Sequence, residues 1–372
     1  MSMRLLWKRS EIPPSNPERP LRYALIGAGS AARTHLNDFS RKANLRLVAI
    51  ADPAPRQSWS LQGDFGSIAC FTESDRLLRE MRPDVVSVCT PPRFHHEITL
   101  QALHAGAHVV CEKPMAMNLE EALQMEQTRA AVQRLGLVNF SYRNVAAFRF
   151  AKHLIRQGAL GVVTRISAVY LQSFMRAEST RWSWRHDIRD AGFGALGDLG
   201  VHMIDGVRFL SGLEFRRVIG IARTGWPEKM DSTGRMRPIT TDTDAMFLAE
   251  MDGHAQATLE TTQSAPGYGN FLRIEVSGER GTLSVNNESP NHIQRSAVEV
   301  TGRRAIWKTD FSSQPVPIGF PDRNIPSSPG VMIDAIRGGN IAYPTFADGV
   351  AAQLVLHALR QSIMLGTWAF VQ

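Results

Sequence analysis

Short apolar runs alternate with amphipathic stretches from Leu21 to Tyr142. The runs read YALIGAG, RLVAIAD, DVVSVCTPP, AHVVCEKP and LVNFSY, and each has the length of a strand. Such alternation predicts βαβ units built on a parallel sheet. In the connecting segment LEEALQMEQTRAAVQRLG, the apolar positions Leu119, Ala122, Leu123, Met125, Ala130 and Leu135 sit among good helix formers. That segment predicts a helix with Gly136 as its stop. From about Arg143 the pattern changes. AAFRFAKHLIRQGALG has helical spacing, whereas AMFLAEM, AQATLETTQ and LRIEVSG alternate with a period of two, as in an open antiparallel sheet covered on one face. FADGVAAQLVLHALRQSIMLG reads as a C-terminal helix.

The expected fold is therefore α/β. An N-terminal Rossmann doubly wound parallel sheet over 21–142 is followed by a C-terminal α+β domain over 143–372 with an open, mostly antiparallel sheet. Residues 1–20 form an N-terminal arm, and the C-terminal helix packs back on the first domain. A chain of 372 residues is long enough for two such cores.

Composition narrows the function classes. Hydrophobic residues make up 43% and charged residues 21%, the balance of a globular protein rather than a disordered or fibrous one. No apolar run approaches the roughly 20 residues of a membrane helix. The apolar part of the N-terminus, Leu5, Leu6 and Trp7, is too short for a signal-peptide core. The expectation is a cytoplasmic protein without a membrane partner. Cys70, Cys89 and Cys111 have no CxxC spacing and are expected to be reduced thiols. The net charge of +7 is scattered, which argues against a nucleic-acid groove and leaves attraction for anionic ligands. The histidines show no HExxH or Cys-paired ligand spacing, so no metal is expected.

The first candidate chemistry is in YALIGAGSAA. Gly27-x-Gly29-x-x-Ala32 follows an apolar run and opens a helix. The first glycine permits a tight turn, the second lets backbone approach a pyrophosphate, and the small third residue allows close packing. Phosphate would then lie on the helix N-terminus beside Ser30 and Ala31, where N–H groups favour an anion. Asp52 ends the next strand, 25 positions after Gly27, close to the usual spacing for the acid that bonds ribose hydroxyls. A carboxylate there favours NAD over NADP, although Arg56 is near enough to leave NADP open. Glycines at an ordinary strand–helix turn and an aspartate before Pro53 remain the alternative reading.

Ligands of a doubly wound sheet bind beyond the carboxyl ends of its strands. Thr90 and Pro91 in VCTPP and Glu112 and Lys113 in CEKP stand at two such ends, with His95 just downstream. These five complete the cofactor-side set, and Lys113 is placed where a substrate oxygen would meet a nicotinamide ring. The alternative for Lys113 is a lysine that snorkels outward.

The second half offers Asp198, His202 and Asp205 at i, i+4 and i+7, along one helix face. Asp198 could instead cap the helix, His202 could be a structural histidine, and Asp205 could hold its own helix. Read functionally, His202 is a base for a hydroxyl proton, Lys113 stabilises developing alkoxide, and Asp198 orients substrate or imidazole. Trp184 and Arg185, in RWSWRHDIRDAG, suit the apolar faces and hydroxyls of a carbohydrate. Core tryptophans with a surface arginine are the alternative, and Arg143, at the domain junction, is a further substrate candidate with a structural role as its alternative.

GAGSAA, TPPRFHHEITLQALHAGAHVVCEKPMAMNLEEA and AGFGALGDLGVHMID together resemble the glucose–fructose oxidoreductase/inositol dehydrogenase/rhizopine catabolism (Gfo/Idh/MocA) family. The resemblance runs from about Arg22 through HLIRQGALGVVTRI to YPTFADGVAAQLVLHALRQS. It implies a catalytic lysine from EKP, at Lys113, and a D-x-x-x-H pair from one helix, at Asp198 and His202. It also implies an NAD(H)-dependent dehydrogenase of a sugar, inositol or polyol, assembled as a homodimer or homotetramer through the second-domain sheet. Ala107 and Phe193 depart from the family pattern, and Phe193 puts the substrate in question more than the reaction. An NAD-dependent glycoside hydrolase using transient oxidation and a non-catalytic NAD-sensing regulator are the competing functions.

Overall fold

The computed structural model describes residues 19–40, 45–54, 68–176, 180–301, 304–307, 311–321, 328–338 and 343–372. Most of the expected N-terminal arm, and Arg56, lie outside these. The chain forms two compact units: Met1–Met115, Glu120–Asn139 and Pro326–Ala347 make the first, and Ala116–Leu119, Phe140–Ile325 and Asp348–Gln372 the second. The crossover thus falls at Asn139/Phe140 rather than after Tyr142. The C-terminal helix (Phe346–Leu365) is counted with the second unit from Asp348 onward.

In the first unit, β1 (Leu21–Ile26), β2 (Leu45–Ala51), β3 (Ala69–Phe71), β4 (Val85–Val88), β5 (His108–Cys111) and β6 (Gly136–Val138) form one sheet in the order β3-β2-β1-β4-β5-β6. Every pairing is parallel. The order reverses between β1 and β4, which makes their carboxyl ends the place for a ligand. Strand β4 is buried throughout and apolar but for Ser87, as expected of a parallel strand covered on both faces. Helices α1 (Ser30–Ser40), α2 (Ser74–Met81), α3 (His95–His104) and α4 (Leu119–Ala131) supply the connections.

Helix α4 ends earlier than expected. Gln133 already has φ of 53°, and Gly136 opens β6 instead of stopping a helix. A glycine is needed there because a Cβ would stand 2.6 Å from the Phe346 ring. Residues late in the sequence complete this unit. The helix Ser328–Ile336 packs against α1, β5 and β6, and Val138 N donates to Pro344 O at 3.0 Å.

The second unit is built on β7 (Val163–Leu171), β8 (Phe215–Arg223), β11 (Asp244–Met251), β12 (Gln256–Thr262), β13 (Phe271–Gly278), β14 (Gly281–Asn286), β15 (His292–Thr301), β16 (Arg304–Trp307) and β18 (Ala369–Phe370). Among the described residues the order is β16-β15-β14-β13-β7-β12-β11-β8-β18, with β17 (Ser312–Pro315) beside β15. Strands β9 (Glu228–Met230) and β10 (Met236–Pro238) form a separate pair. All pairings are antiparallel except β7 with β12. Helices α5 (Ala146–Arg156) and α6 (Val201–Ser211) cover one face, α6 lying on β7 and β13. Gly206 permits that approach, since a Cβ there would fall 2.5 Å from Ile274 Cδ1.

Alternation on β11 sends Ala245, Phe247 and Ala249 to the covered face, and Met246 and Leu248 to the other. Strand register aligns Met246 with Ile221 and Glu260, and Leu248 with Ile219 and Thr258. Ile221 is 70% exposed, and Met246 and Leu248 are each 50% exposed. Strand β13, in LRIEVSG, contributes no such patch: its outward positions are Phe271, Arg273, Glu275 and Ser277, and its aliphatic residues point inward.

Candidate active site

The first unit brings the glycine loop, Asp52 and the ends of β4 and β5 together. Gly27 has φ of 90°, and a Cβ on it would sit 2.7 Å from Cys89 C and Thr90 N, so only glycine fits. Its amide donates to Ala51 O at 2.8 Å. Gly29 is exposed, with nothing within 4 Å of where its Cβ would be. Ser30 opens α1, Ala31 follows partly exposed, and Ala32 is fully buried. An open backbone surface ahead of a helix N-terminus is what a pyrophosphate requires.

Asp52 accepts from the amides of Ala28, at 2.7 Å, and Ala54, at 2.8 Å. Its carboxylate is thereby fixed beside the glycine loop, with lone pairs remaining for ribose hydroxyls. Thr90 and Pro91 are partly exposed at the end of β4. His95 corrects the expectation that it reaches the cofactor. It is fully buried, with Nδ1 2.9 Å from Pro114 O and Nε2 2.8 Å from Thr90 O, so it ties the two strand-end loops together.

Glu112 and Lys113 follow β5 directly. Glu112 Oε1 lies 2.9 Å from His35 Nε2 and accepts from Asn139 Nδ2 at 2.6 Å, while Oε2 accepts from the Lys113 amide at 3.2 Å. Burial opposes the Glu112 charge, but His35, Asn139 and Lys113 outweigh it and hold the carboxyl down at about 2. Lys113 itself is partly exposed.

The second unit holds the other candidates on α6 and the turn before it. Leu196–Gly200 forms a π-helical turn in which the Val201 amide reaches Leu196 O, a distortion frequent at functional sites. Asp198 does not cap this turn. Asp242 does, accepting from Gly194 N at 2.7 Å and Leu196 N at 2.8 Å. The loop lies so close that a Cβ on Gly194 would stand 1.8 Å from Asp242 O. Asp198, partly exposed, instead accepts from Gln263 Nε2 at 3.1 Å.

His202 is buried among aromatic rings, with its centroid 5.0 Å from Tyr142, 6.1 Å from Tyr170 and 6.2 Å from Phe140. The Tyr142 and Tyr170 hydroxyls are 2.6 Å apart. Asp205 belongs to a different network: Arg143 bonds it through Nε at 2.8 Å and through Nη2, and Nη2 also reaches Asp348 at 2.9 Å. Burial opposes the charge on Arg143, and the Asp205 and Asp348 carboxylates more than offset it, holding the guanidinium charged. Arg143 is thus committed to an internal ion pair, which corrects its reading as a substrate ligand. Trp184 and Arg185 are both partly exposed, and the Arg185 guanidinium lies 4.3 Å from the Trp184 ring centroid. Sequence reasoning missed Asp242, Gln263, Tyr142, Tyr170, His35 and Asn139 as partners of these groups. Asn139 and Tyr142 lie in LVNFSY and Gln263 ends AQATLETTQ, segments whose patterns marked them only as strands.

Comparison with known families decides the affiliation. Residues 21–140 match the profile of the Gfo/Idh/MocA oxidoreductase family, NAD-binding Rossmann fold, and residues 148–284 match the Gfo/Idh/MocA C-terminal domain. A levoglucosan dehydrogenase of Pseudarthrobacter phenanthrenivorans is 30% identical over 94% of this chain and 98% of its own. The chain belongs to the Gfo/Idh/MocA family. Another relative, a D-glucoside 3-dehydrogenase of Escherichia coli, is 30% identical over 63% of this chain and 67% of its own. A solved levoglucosan dehydrogenase in complex with NADH and levoglucosan superposes with a TM-score of 0.84, at 26% identity over 94% of this chain and 99% of that one. As a Gfo/Idh/MocA member the chain is an NAD-dependent oxidoreductase, and the Gly27–Ala32 loop with Asp52 fits that cofactor. Among the described residues no helix is long and apolar enough to cross a membrane.

Proposed function

We propose that the chain transfers hydride between NAD and a secondary alcohol of a sugar, inositol or related polyhydroxy compound. Gly27, Gly29, Ser30 and Ala31 hold the pyrophosphate, Asp52 the adenosine ribose, and Thr90, Pro91, Glu112 and Lys113 the nicotinamide half. The cofactor supplies a hydride acceptor or donor. The residues of the chain must therefore manage the hydroxyl proton and the charge on oxygen. His202 takes that proton as general base. The Lys113 ammonium bonds the same oxygen and stabilises alkoxide character as it develops. Asp198 orients substrate or imidazole, and in the reductive direction the proton moves from His202 to oxygen.

The observation that carries this reading is the division of labour around α6. Asp242 caps the turn and Asp205 pairs with Arg143, so Asp198 is not the cap; it meets Gln263 instead, four residues before His202. Trp184, with Arg185 alongside, offers an aromatic face and donors that suit a ring bearing hydroxyls. The relatives named above are dehydrogenases, which supports net oxidation over the hydrolase and regulator alternatives. We also propose that the exposed Ile221, Met246 and Leu248 mediate self-association into a homodimer or homotetramer.

The test is a panel of sugars, sugar acids and polyols assayed for NAD reduction, followed by Lys113→Met on whichever substrate responds. Turnover is expected to fall by about two to three orders of magnitude, the scale of one lost transition-state donor, with a far smaller change in NAD affinity. Near-normal turnover would overturn the assignment.

A further inference from the structure

Behind Glu112 lies a chain of polar groups that no cofactor loop requires. His35 projects from α1, fully buried, with Nδ1 2.9 Å from Ser87 Oγ on β4 and Nε2 2.9 Å from Glu112 Oε1. Asn139, just past β6, donates to the same Oε1 at 2.6 Å, and its own amide is held by Cys111 O at 2.8 Å. The Glu112 amide is in turn bonded to Val88 O at 3.0 Å. One carboxylate oxygen therefore receives two side-chain donors, and the other receives the backbone N–H of Lys113, at 3.2 Å.

We propose that His35 and Asn139 are positioning residues for Lys113, acting through the Glu112 carboxylate. A lysine side chain has four rotatable bonds and considerable rotamer entropy, so the accuracy of its ammonium depends first on how firmly its backbone is held. Three elements, α1, β5 and the end of β6, converge on Glu112 to hold it. A glutamate anchored only by its own backbone could rotate away from the Lys113 amide. The electrostatics agree with the geometry. Burial disfavours charge on His35, but Cys89 and Glu112 outweigh it and raise its pKa. Burial keeps Cys89 itself a thiol, so Glu112 is the neighbour that carries negative charge at neutral pH. His35 Nε2 and Asn139 Nδ2 thus converge on the same Oε1 of the Glu112 carboxylate.

This inference rests on the assignment of Lys113 above, and the test separates the two. His35→Gln and Asn139→Ala are made singly and in combination with Lys113→Met, and turnover and NAD dissociation constant are measured for each. Each single variant is expected to lose about tenfold to a hundredfold in turnover, the cost of a small misplacement of a catalytic group, with a smaller change in NAD affinity. In the Lys113→Met background the same changes should cost nothing further, because there is no ammonium left to position. A merely structural role predicts equal losses in both backgrounds, and that result would overturn the proposal, as would normal turnover in Asn139→Ala. If His35→Gln fails to fold, Asn139→Ala reads the same coupling by itself. If Lys113→Met alone keeps normal turnover, the catalytic assignment falls, and the positioning inference falls with it.

Discussion

Arg143 holds Asp205 through two parallel contacts, Nε to Oδ2 at 2.8 Å and Nη2 to Oδ1, with both side chains buried. The pair spans 62 positions in sequence and joins the 3₁₀ turn Ser141–Asn144 to helix α6. Helix α6, which carries His202 and continues the turn that carries Asp198, is thereby anchored at its next polar residue.

Asp205→Asn leaves a buried guanidinium without its main counter-charge. Stability is expected to fall by about 3–5 kcal/mol, measured by urea unfolding. Arg143→Met combined with Asp205→Leu should recover part of that loss, since an apolar pair avoids the desolvation of two charges. A loss below about 1 kcal/mol in Asp205→Asn would show that Asp348 alone suffices for Arg143.

Stability should also depend on the His35–Glu112 pair with a definite sign. The folded pKa of His35 lies above its ordinary 6.5, so its contribution is complete below that pH and is lost as pH rises through the folded value. The folded pKa of Glu112 is about 2 against an ordinary 4.5, so its contribution is present above 4.5 and lost as pH falls toward 2. Melting temperature should therefore be highest between these limits and decline on either side, with Ser87, Cys89 and Asn139 as the other groups facing the pair. In His35→Gln the decline above pH 6.5 should flatten. An unchanged alkaline slope in that variant would contradict the ion pair.

Asp52 is expected to set cofactor preference. Asp52→Ser removes the charge that would repel a 2′-phosphate, and also two acceptors for the Ala28 and Ala54 amides. Efficiency with NAD should fall while efficiency with NADP rises, read as the ratio of kcat/KM values. A wild-type chain that already prefers NADP would refute this.

The row Ile221–Met246 and its neighbour Leu248 should be covered in solution. Light scattering is expected to give the mass of a dimer or tetramer of the 41.3 kDa chain. Met246→Glu with Leu248→Glu should shift the protein toward the monomer without loss of folded structure, because both side chains are already half in water. A monomeric wild type at micromolar concentration would end the proposal.

Periodicity made the parallel sheet, the long helices and the open sheet legible, because each is a local pattern repeated over many residues. The three-residue strand β3, the β9–β10 pair and the π-helical turn at Leu196–Gly200 are too short or too irregular to leave such a pattern. The glycine loop was readable because a phosphate cradle demands particular residues at fixed spacing, and Gly27 and Gly29 meet that demand. Partners were not readable. That Asp242 rather than Asp198 caps the turn, and that Arg143 is taken by Asp205, depend on contacts between distant segments. His95 looked like a cofactor ligand because it stands near one in sequence, but its ring is turned onto backbone carbonyls.

The late return of the chain to the first unit bears on how that unit is made. A ribosome delivers β1 through β6 before any strand of the second unit, yet the helix that covers α1, β5 and β6 begins only at Ser328. The backbone oxygen that receives the Val138 amide, on Pro344, comes later still. The nucleotide-binding unit, although its strands emerge ahead of the second unit's, must wait with one flank bare while the whole of β7 to β17 is translated. A fragment ending at Asn139 should bind a dye that reports exposed apolar surface, and a nascent chain stalled there should be a better chaperone client than one extended past Phe346.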